Sequence, residues 1–248
     1  MLPALHILDA IDSTNAEARR RAEAGDSTSQ WIVARQQSAG RGRRGRAWDS
    51  GNGNLFSTLL LLTSKSPAEA AQVTFVAALA VADLLDAFAV PGSVSIKWPN
   101  DVLIDGKKAA GILIESGTHP SGGLWLAVGI GVNLAHAPEE TERPATSLAV
   151  HLRPDIAYPP PVEAAAEVLA EAFAVWQDRW DRFGFQPILD AWTARTHGLE
   201  GPCVARLGHE TVTGIADGVA PDGALRLRTA DGTLRLISAG DVFFGEAA

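Results

Sequence analysis

An α+β fold, with a mixed and mainly antiparallel sheet, packed helices and a small C-terminal β barrel, is predicted by three features of the sequence. Short apolar, strand-like runs alternate with helix-patterned stretches up to about residue 199. "SVSIKWP", "DVLIDGKKAAGILIES" and "GLWLAVGIGVNL" follow one another with only turn signals between them, which makes them consecutive antiparallel strands. After "HGLEGP" the composition changes to short alternating runs separated by Gly/Asp turns, the pattern of a small all-β module.

Taken in order, "ALHIL" is a short strand and "DSTNAEARRRAEAG" a helix, with Thr14 and Glu17 at capping-box spacing and Gly25 as its stop. "QWIVARQQ" is strand-like and runs directly into "GRGRRGRAW" at 40–48, after which "NLFSTLLLL" resumes as a buried strand. Pro67 opens a long Ala/Leu/Val-rich helix through about Phe88, which Asp83 and Asp86 mark as a buried core helix and not a membrane span. Asp105-Gly106 is a turn signal between two strand-like runs. Residues 135–160 read as a loop ending in "PDIAYPPP", and helices follow at 161–183 and 186–197. The tail runs are "CVARL", "ETVTGIADGV", "ALRLRT" and "TLRLIS". The chain accordingly divides into a unit at 1–199 and a β unit at 200–248.

Composition narrows the function. The N-terminus, "MLPALHILDAIDSTN", has neither a basic head nor an apolar run, and the one cysteine, Cys203, excludes a disulfide framework or a cysteine-cluster zinc site. A cytoplasmic protein with no membrane partner is expected. The net charge of −8 argues against a protein that grips nucleic acid through phosphates. Basic density is confined to "RRR" at 19–21, a solvated helix face, and to the glycine-arginine stretch.

Taken singly, each polar motif has an ordinary structural reading: "STN" at 13–15 as an N-cap, "KWPND" at 97–101 as a strand-ending turn, Lys107 and Lys108 as solvated, and "GIGVN" at 129–133 as close backbone packing. The "GxGxxG" in the loop lacks the strand-turn-helix context of a dinucleotide site, because a strand follows it. Jointly and in order they say more. "DSTN", "QQSAGRGRRGRAW", then "KWPNDVLIDGKKAAGILIE" and "GIGVNL" closely resemble biotin protein ligases over most of 10–135, and a short β tail also matches that family.

The resemblance implies a biotin/lipoate ligase-like fold, an SH3-like C-terminal module and a two-step reaction. Biotin and MgATP give biotinyl-5′-AMP and pyrophosphate, and a lysine of a biotin carboxyl-carrier protein domain then attacks the mixed anhydride. Biotin's carboxylate must approach the α-phosphate, so preorganised positive charge is the central need. Carried over by motif, Lys108 and Arg43 stand at the reacting groups, with Lys108 preferred to Lys107 because the family lysine lies three residues before a glycine, here Gly111. Ser13, Thr14, Asn15, Gln37, Arg41 and Gly42 match biotin-holding positions, joined by Arg43, Lys108, Gly111 and Gly129. Arg43, Arg44, Arg46, Trp48, Asn100, Lys108, Gly131 and Asn133 match the ATP side, with Trp48 as the stacking surface. Asp101 is the candidate to orient or deprotonate the acceptor lysine. No metal ligand is assigned, Mg2+ being held through ATP.

Because the biotin motif begins by residue 12, no N-terminal operator-binding domain and no specific DNA binding are expected; the state is a monomer or homodimer. The glycine-arginine loop is expected to be mobile without ligand and to close over the intermediate. Two rival readings are an RNA-binding module built on "GRGRRGR" and the β tail, and a lipoate ligase. RGG-type segments are long and repetitive, whereas this one is single and flanked by strands, and "KWPND" favours the biotin branch.

Overall fold

A computed structural model describes residues 2–139 and 141–245. Seven strands, β1 (Ala4–Leu8), β2 (Gln30–Ala34), β3 (Leu55–Thr63), β4 (Val94–Lys97), β5 (Asp101–Ile104), β6 (Lys107–Thr118) and β7 (Leu124–Val132), form one sheet. Their order is β1-β2-β3-β7-β6-β5-β4. Only β1 and β2 run parallel; every other neighbouring pair is antiparallel.

Strand alternation gives the sheet two different faces. Leu126, Val128, Ile130 and Val132 of β7 point into the main core, against the buried helix α3 (Val73–Asp86). Trp125 and Ala127 point the other way, with Ile32 and Leu60, onto Ala18 and Ala22 of α1 (Thr14–Glu23). Gly129 and Gly131 continue that second face, as do Gly111 on β6 and Thr58 on β3. Alpha-1 covers only part of this face. The strip it leaves, floored by glycine, is where the site forms.

The core side is closed by α4 (Val162–Phe183) and α5 (Gln186–Thr193) packed on α3. Eleven of the fourteen α3 residues are buried, which accounts for its apolar composition. The helix expected from Pro67 to Phe88 is in fact two: α2 (Pro67–Ala71), with a capping box between Ser66 and Glu69, and α3, which begins after Gln72. The capping box expected at Thr14 and Glu17 does not form. Ser13 is the N-cap without a side-chain bond, and Glu17 is engaged by Arg20 and Arg21 instead. "QWIVARQQ" stops being strand at Ala34 and the second C-terminal helix ends at Thr193. The Asp105-Gly106 turn forms, with both residues at positive φ (49° and 73°).

The tail makes a second antiparallel sheet from β8 (Pro202–Arg206), β9 (Thr211–Val219), β10 (Leu225–Arg228), β11 (Leu234–Ile237) and β12 (Asp241–Phe244). Its order is β11-β10-β9-β8-β12, and among the described residues β11 and β12 do not pair, so the ladder stays open where a closed barrel was expected. The fifth strand, β12, was not legible in the sequence. Trp98 Nε1 donates to the Gly223 carbonyl at 3.0 Å, tying "KWPND" to this sheet.

Candidate active site

One cavity of about 470 Å³ opens on the glycine strip, between α1, the 40–48 loop, the β6–β7 ladder and the start of β12. All the sequence-nominated residues line it except Arg44. It has two chemically different ends.

The first end is neutral. The start of α1 buries Thr14 and Asn15 against the sheet. Gln37 Oε1 accepts from the Thr14 backbone N–H (2.8 Å) and hydroxyl (3.1 Å). Thr58 Oγ1 lies 2.7 Å from Asn15 Oδ1 and 2.8 Å from Thr14 Oγ1, while Asn15 Nδ2 donates to Glu115 at 2.7 Å. Ser13 completes the rim, and Arg41 reaches Glu115 at 3.9 Å. Gly129 leaves room for Asn15, since a Cβ there would collide with the Asn15 amide. The network fixes hydroxyls and amides in place, as recognition of a small polar, uncharged ring requires.

The second end is cationic. Lys108 Nζ sits 2.6 Å from Asp101 Oδ1, which has no other partner among the described residues, and Arg143 Nη1 lies 3.6 Å from Asp101 Oδ2. Arg43 Nη1 donates to Asn100 Oδ1 (2.8 Å), and Asn100 is itself locked by Nδ2 to the Ile112 carbonyl (2.8 Å). Burial pulls the Arg43 guanidinium below its ordinary pKa, opposed by Asp241 and Asp101. A desolvated cation of this kind is strongly attracted to an anion. Asn133 is buried, with Nδ2 donating to the Thr146 carbonyl at 3.1 Å.

Trp48 forms the floor between the ends. A Cβ on Gly131 would stand 2.5 Å from its Cε2, and one on Gly111 2.9 Å from its Cζ3. The glycines expected to admit ligand therefore first admit this indole. Lys108 Nζ lies 5.3 Å from the Trp48 ring centroid. The indole Nε1 is buried and has no hydrogen-bond partner among the described residues.

The glycine-arginine loop is folded. Arg41 bridges Ala47, Gly42 N–H donates to the Arg46 carbonyl (2.8 Å), and Arg44 takes a positive φ of 55°. Its anchor is Asp241, at the head of β12. Arg44 Nη1 donates to it at 2.9 Å and Arg46 Nη2 at 2.7 Å, and Arg43 Nη2 reaches the Gly240 carbonyl at 3.2 Å. Burial works to raise the Asp241 pKa, but Arg46, Arg44 and Arg143 outweigh it and hold the carboxyl below the usual range. Arg44, matched to the ATP side, does not line the cavity; its guanidinium pairs with Asp241.

Sequence reasoning missed Thr58, Glu115, Arg143 and Asp241. Ser57-Thr58 inside an apolar strand was a readable signal for the first. Nothing local marks Asp241.

Residues 8–134 match the biotin/lipoate A/B protein ligase family, and residues 199–245 match the biotin protein ligase C-terminal domain. The chain belongs to the biotin/lipoate A/B protein ligase family. It is 45% identical to the biotin–[acetyl-CoA-carboxylase] ligase of Paracoccus denitrificans, over 96% of this chain and all of that one. It is 31% identical to the bifunctional ligase/repressor BirA of Bacillus subtilis, over 93% of this chain and 71% of that protein. The biotin protein ligase of Aquifex aeolicus, solved in complex with biotin and ATP, superimposes with a TM-score of 0.82 at 26% identity, covering 98% of this chain and 99% of the other.

Proposed function

We propose that the chain is a biotin protein ligase that activates biotin with ATP and passes it to a lysine of a biotin-dependent carboxylase, at the carrier domain of acetyl-CoA carboxylase. One observation carries this: a single cavity joins an ordered hydroxyl/amide end to a cationic end, across an aromatic floor. Thr14, Asn15 and Gln37 suit the ureido ring. Lys108 and Arg43 suit the place where biotin's carboxylate meets the α-phosphate of MgATP.

In the first step a carboxylate oxygen bonds to the α-phosphorus as the bond to the bridging oxygen breaks, and pyrophosphate leaves. Lys108 and Arg43 lower the repulsion between the two anions, and their fixed partners, Asp101 and Asn100, remove the cost of reorganising them. In the second step the acceptor amine attacks the acyl carbon, loses a proton and expels AMP. Asp101 is already paired with Lys108, so its first role is to aim that ammonium. It serves the acceptor only when the arriving amine competes for the same carboxylate. We assign residues 1–199 to the catalytic unit and 200–248 to the β unit that anchors the loop.

The test is pyrophosphate release from MgATP on adding biotin, with lipoate and octanoate as controls. Release with biotin alone supports the reading; release with lipoate alone makes the chain a lipoate ligase instead.

A further inference from the structure

Next to the main cavity, past Asp101 and Lys108, lies a second cavity of about 160 Å³ under the C-terminal sheet. Lys97, Phe243 and Phe244 wall it, and Asp101, Lys108 and Arg143 line both cavities. Lys97 ends β4, opposite Asp101 in the β4–β5 ladder. It is 8% exposed, yet its ammonium makes no salt bridge or hydrogen bond among the described residues and stands over the rings of Phe243 (5.9 Å) and Phe244 (6.0 Å). Arg143, stacked on Phe243 at 4.1 Å, also has a buried Nη2 without a partner among the described residues.

A buried, unpaired cation is destabilising, and removing it is the easy remedy. Among the described residues that line this cavity, three cations, Lys97, Lys108 and Arg143, stand against one carboxylate, Asp101, and His197 also borders it. That surplus fits an anion. An acceptor lysine entering as an ammonium would be repelled by it. Burial, with Arg143 and Lys108 nearby, pushes Lys97 down to about 8 against the pull of Asp101, as expected of a cation short of counter-charge.

We propose that the second cavity is the subsite for the two phosphates that depart as pyrophosphate, with Lys97 and Arg143 as its cations. This rests on the adenylation reading above. The biotin oxygen attacks the α-phosphorus from the main cavity, and the bond to the bridging oxygen breaks on the opposite side, its electron pair staying on pyrophosphate with no proton transfer required. Lys108, bordering both cavities, spans the α-phosphate and the departing group.

The experiment uses the full chain and the variants Lys97→Gln and Lys97→Met. Biotin-dependent exchange of labelled pyrophosphate into ATP gives KM for both, calorimetry gives the Kd of biotin, and transfer from supplied biotinyl-5′-AMP to a carrier domain isolates the second step. Both variants are expected to raise the KM of pyrophosphate and ATP by about tenfold or more, the size of one charge-assisted hydrogen bond. Biotin affinity and transfer from the supplied adenylate should be unchanged. Unchanged KM values, or a loss confined to transfer, would overturn the assignment. Folding is checked by thermal unfolding: inorganic pyrophosphate alone should raise the Tm of the wild type and not of Lys97→Met, and equal shifts would overturn it too. If the wild type shows no biotin-dependent exchange, the ligase reading has failed, and the pyrophosphate shift still decides the cavity.

Discussion

The substitution Asp241→Asn isolates what the C-terminal sheet does for the glycine-arginine loop. It keeps the shape of the side chain and removes the charge that holds Arg44 (2.9 Å) and Arg46 (2.7 Å). A hydrogen bond to a charged group contributes about 1.5–3 kcal/mol, but exposed pairs measure only about 0.2–1 kcal/mol. Asp241 is nearly buried while both arginines are about half exposed, so the two contacts together come to roughly 1–2 kcal/mol. Removing them should raise the open population of the loop by about 5- to 30-fold.

Trypsin reads that population, because Arg41, Arg43, Arg44 and Arg46 are all cleavage sites and cleavage follows the open fraction when reclosing is fast. Loop cleavage in Asp241→Asn should accelerate by that factor without ligand, while cleavage at Arg19 to Arg21 of α1 stays at the wild-type rate. Biotin with MgATP should restore most of the protection. The variant should also form more AMP per biotin transferred, since a loosened lid exposes the anhydride to water. Wild-type cleavage and wild-type coupling in the variant would refute the anchor; faster cleavage everywhere would mean global unfolding instead.

Three further outcomes are expected. Lys108→Ala should slow adenylate formation by on the order of a hundredfold or more, whereas Lys107→Ala, on an exposed side chain, should leave single-turnover rates unchanged. Gly131→Ala places a methyl against Trp48 and should raise the KM for ATP while calorimetry finds biotin affinity intact. Lys97, held at about 8 when folded against an ordinary lysine value of 10.5, favours the neutral form in the native state, so the unfolded chain binds more protons between those values and wild-type stability rises with pH there. Lys97→Met should therefore melt above the wild type at pH 7, and the gap should shrink as pH rises through 8 toward 10.5; a constant gap would show that the buried charge is not its cause.

Much of the site was legible because it is written in short strands and turns. Period-2 alternation alone puts Gly129 and Gly131 on one face, and "KWPND" places Asn100 and Asp101 at a strand junction. What stayed hidden depends on contacts between distant segments. Asp241 meets residues some two hundred positions earlier, and no local pattern records such pairing. The break at Gln72 was masked by a continuous helix-forming composition, which says where helix is possible and not where it bends. The role of Glu17 went astray for a related reason: a capping spacing is also an i,i+3/i,i+4 spacing, and the two arginines on the same helix won the carboxylate.

The hidden contacts explain how an acidic protein keeps four arginines in one short loop. Like charges oppose compaction, and ordering so flexible a stretch costs conformational entropy. Asp241 offsets both by taking Arg44 and Arg46, the two that its carboxylate reaches. The pair it leaves is put to different uses: Arg43 is aimed by Asn100 at the cationic end, and Arg41 points to Glu115 at the neutral end. A substrate entering this cavity thus meets arginines already sorted by position. The same sheet that sorts them also covers Lys97, so the anchor of the loop and the roof of the second cavity lie on one four-residue strand, Asp241 at its head and Phe243 and Phe244 at its end. A displacement of β12 would therefore loosen the loop and uncover Lys97 together, because one short strand holds both.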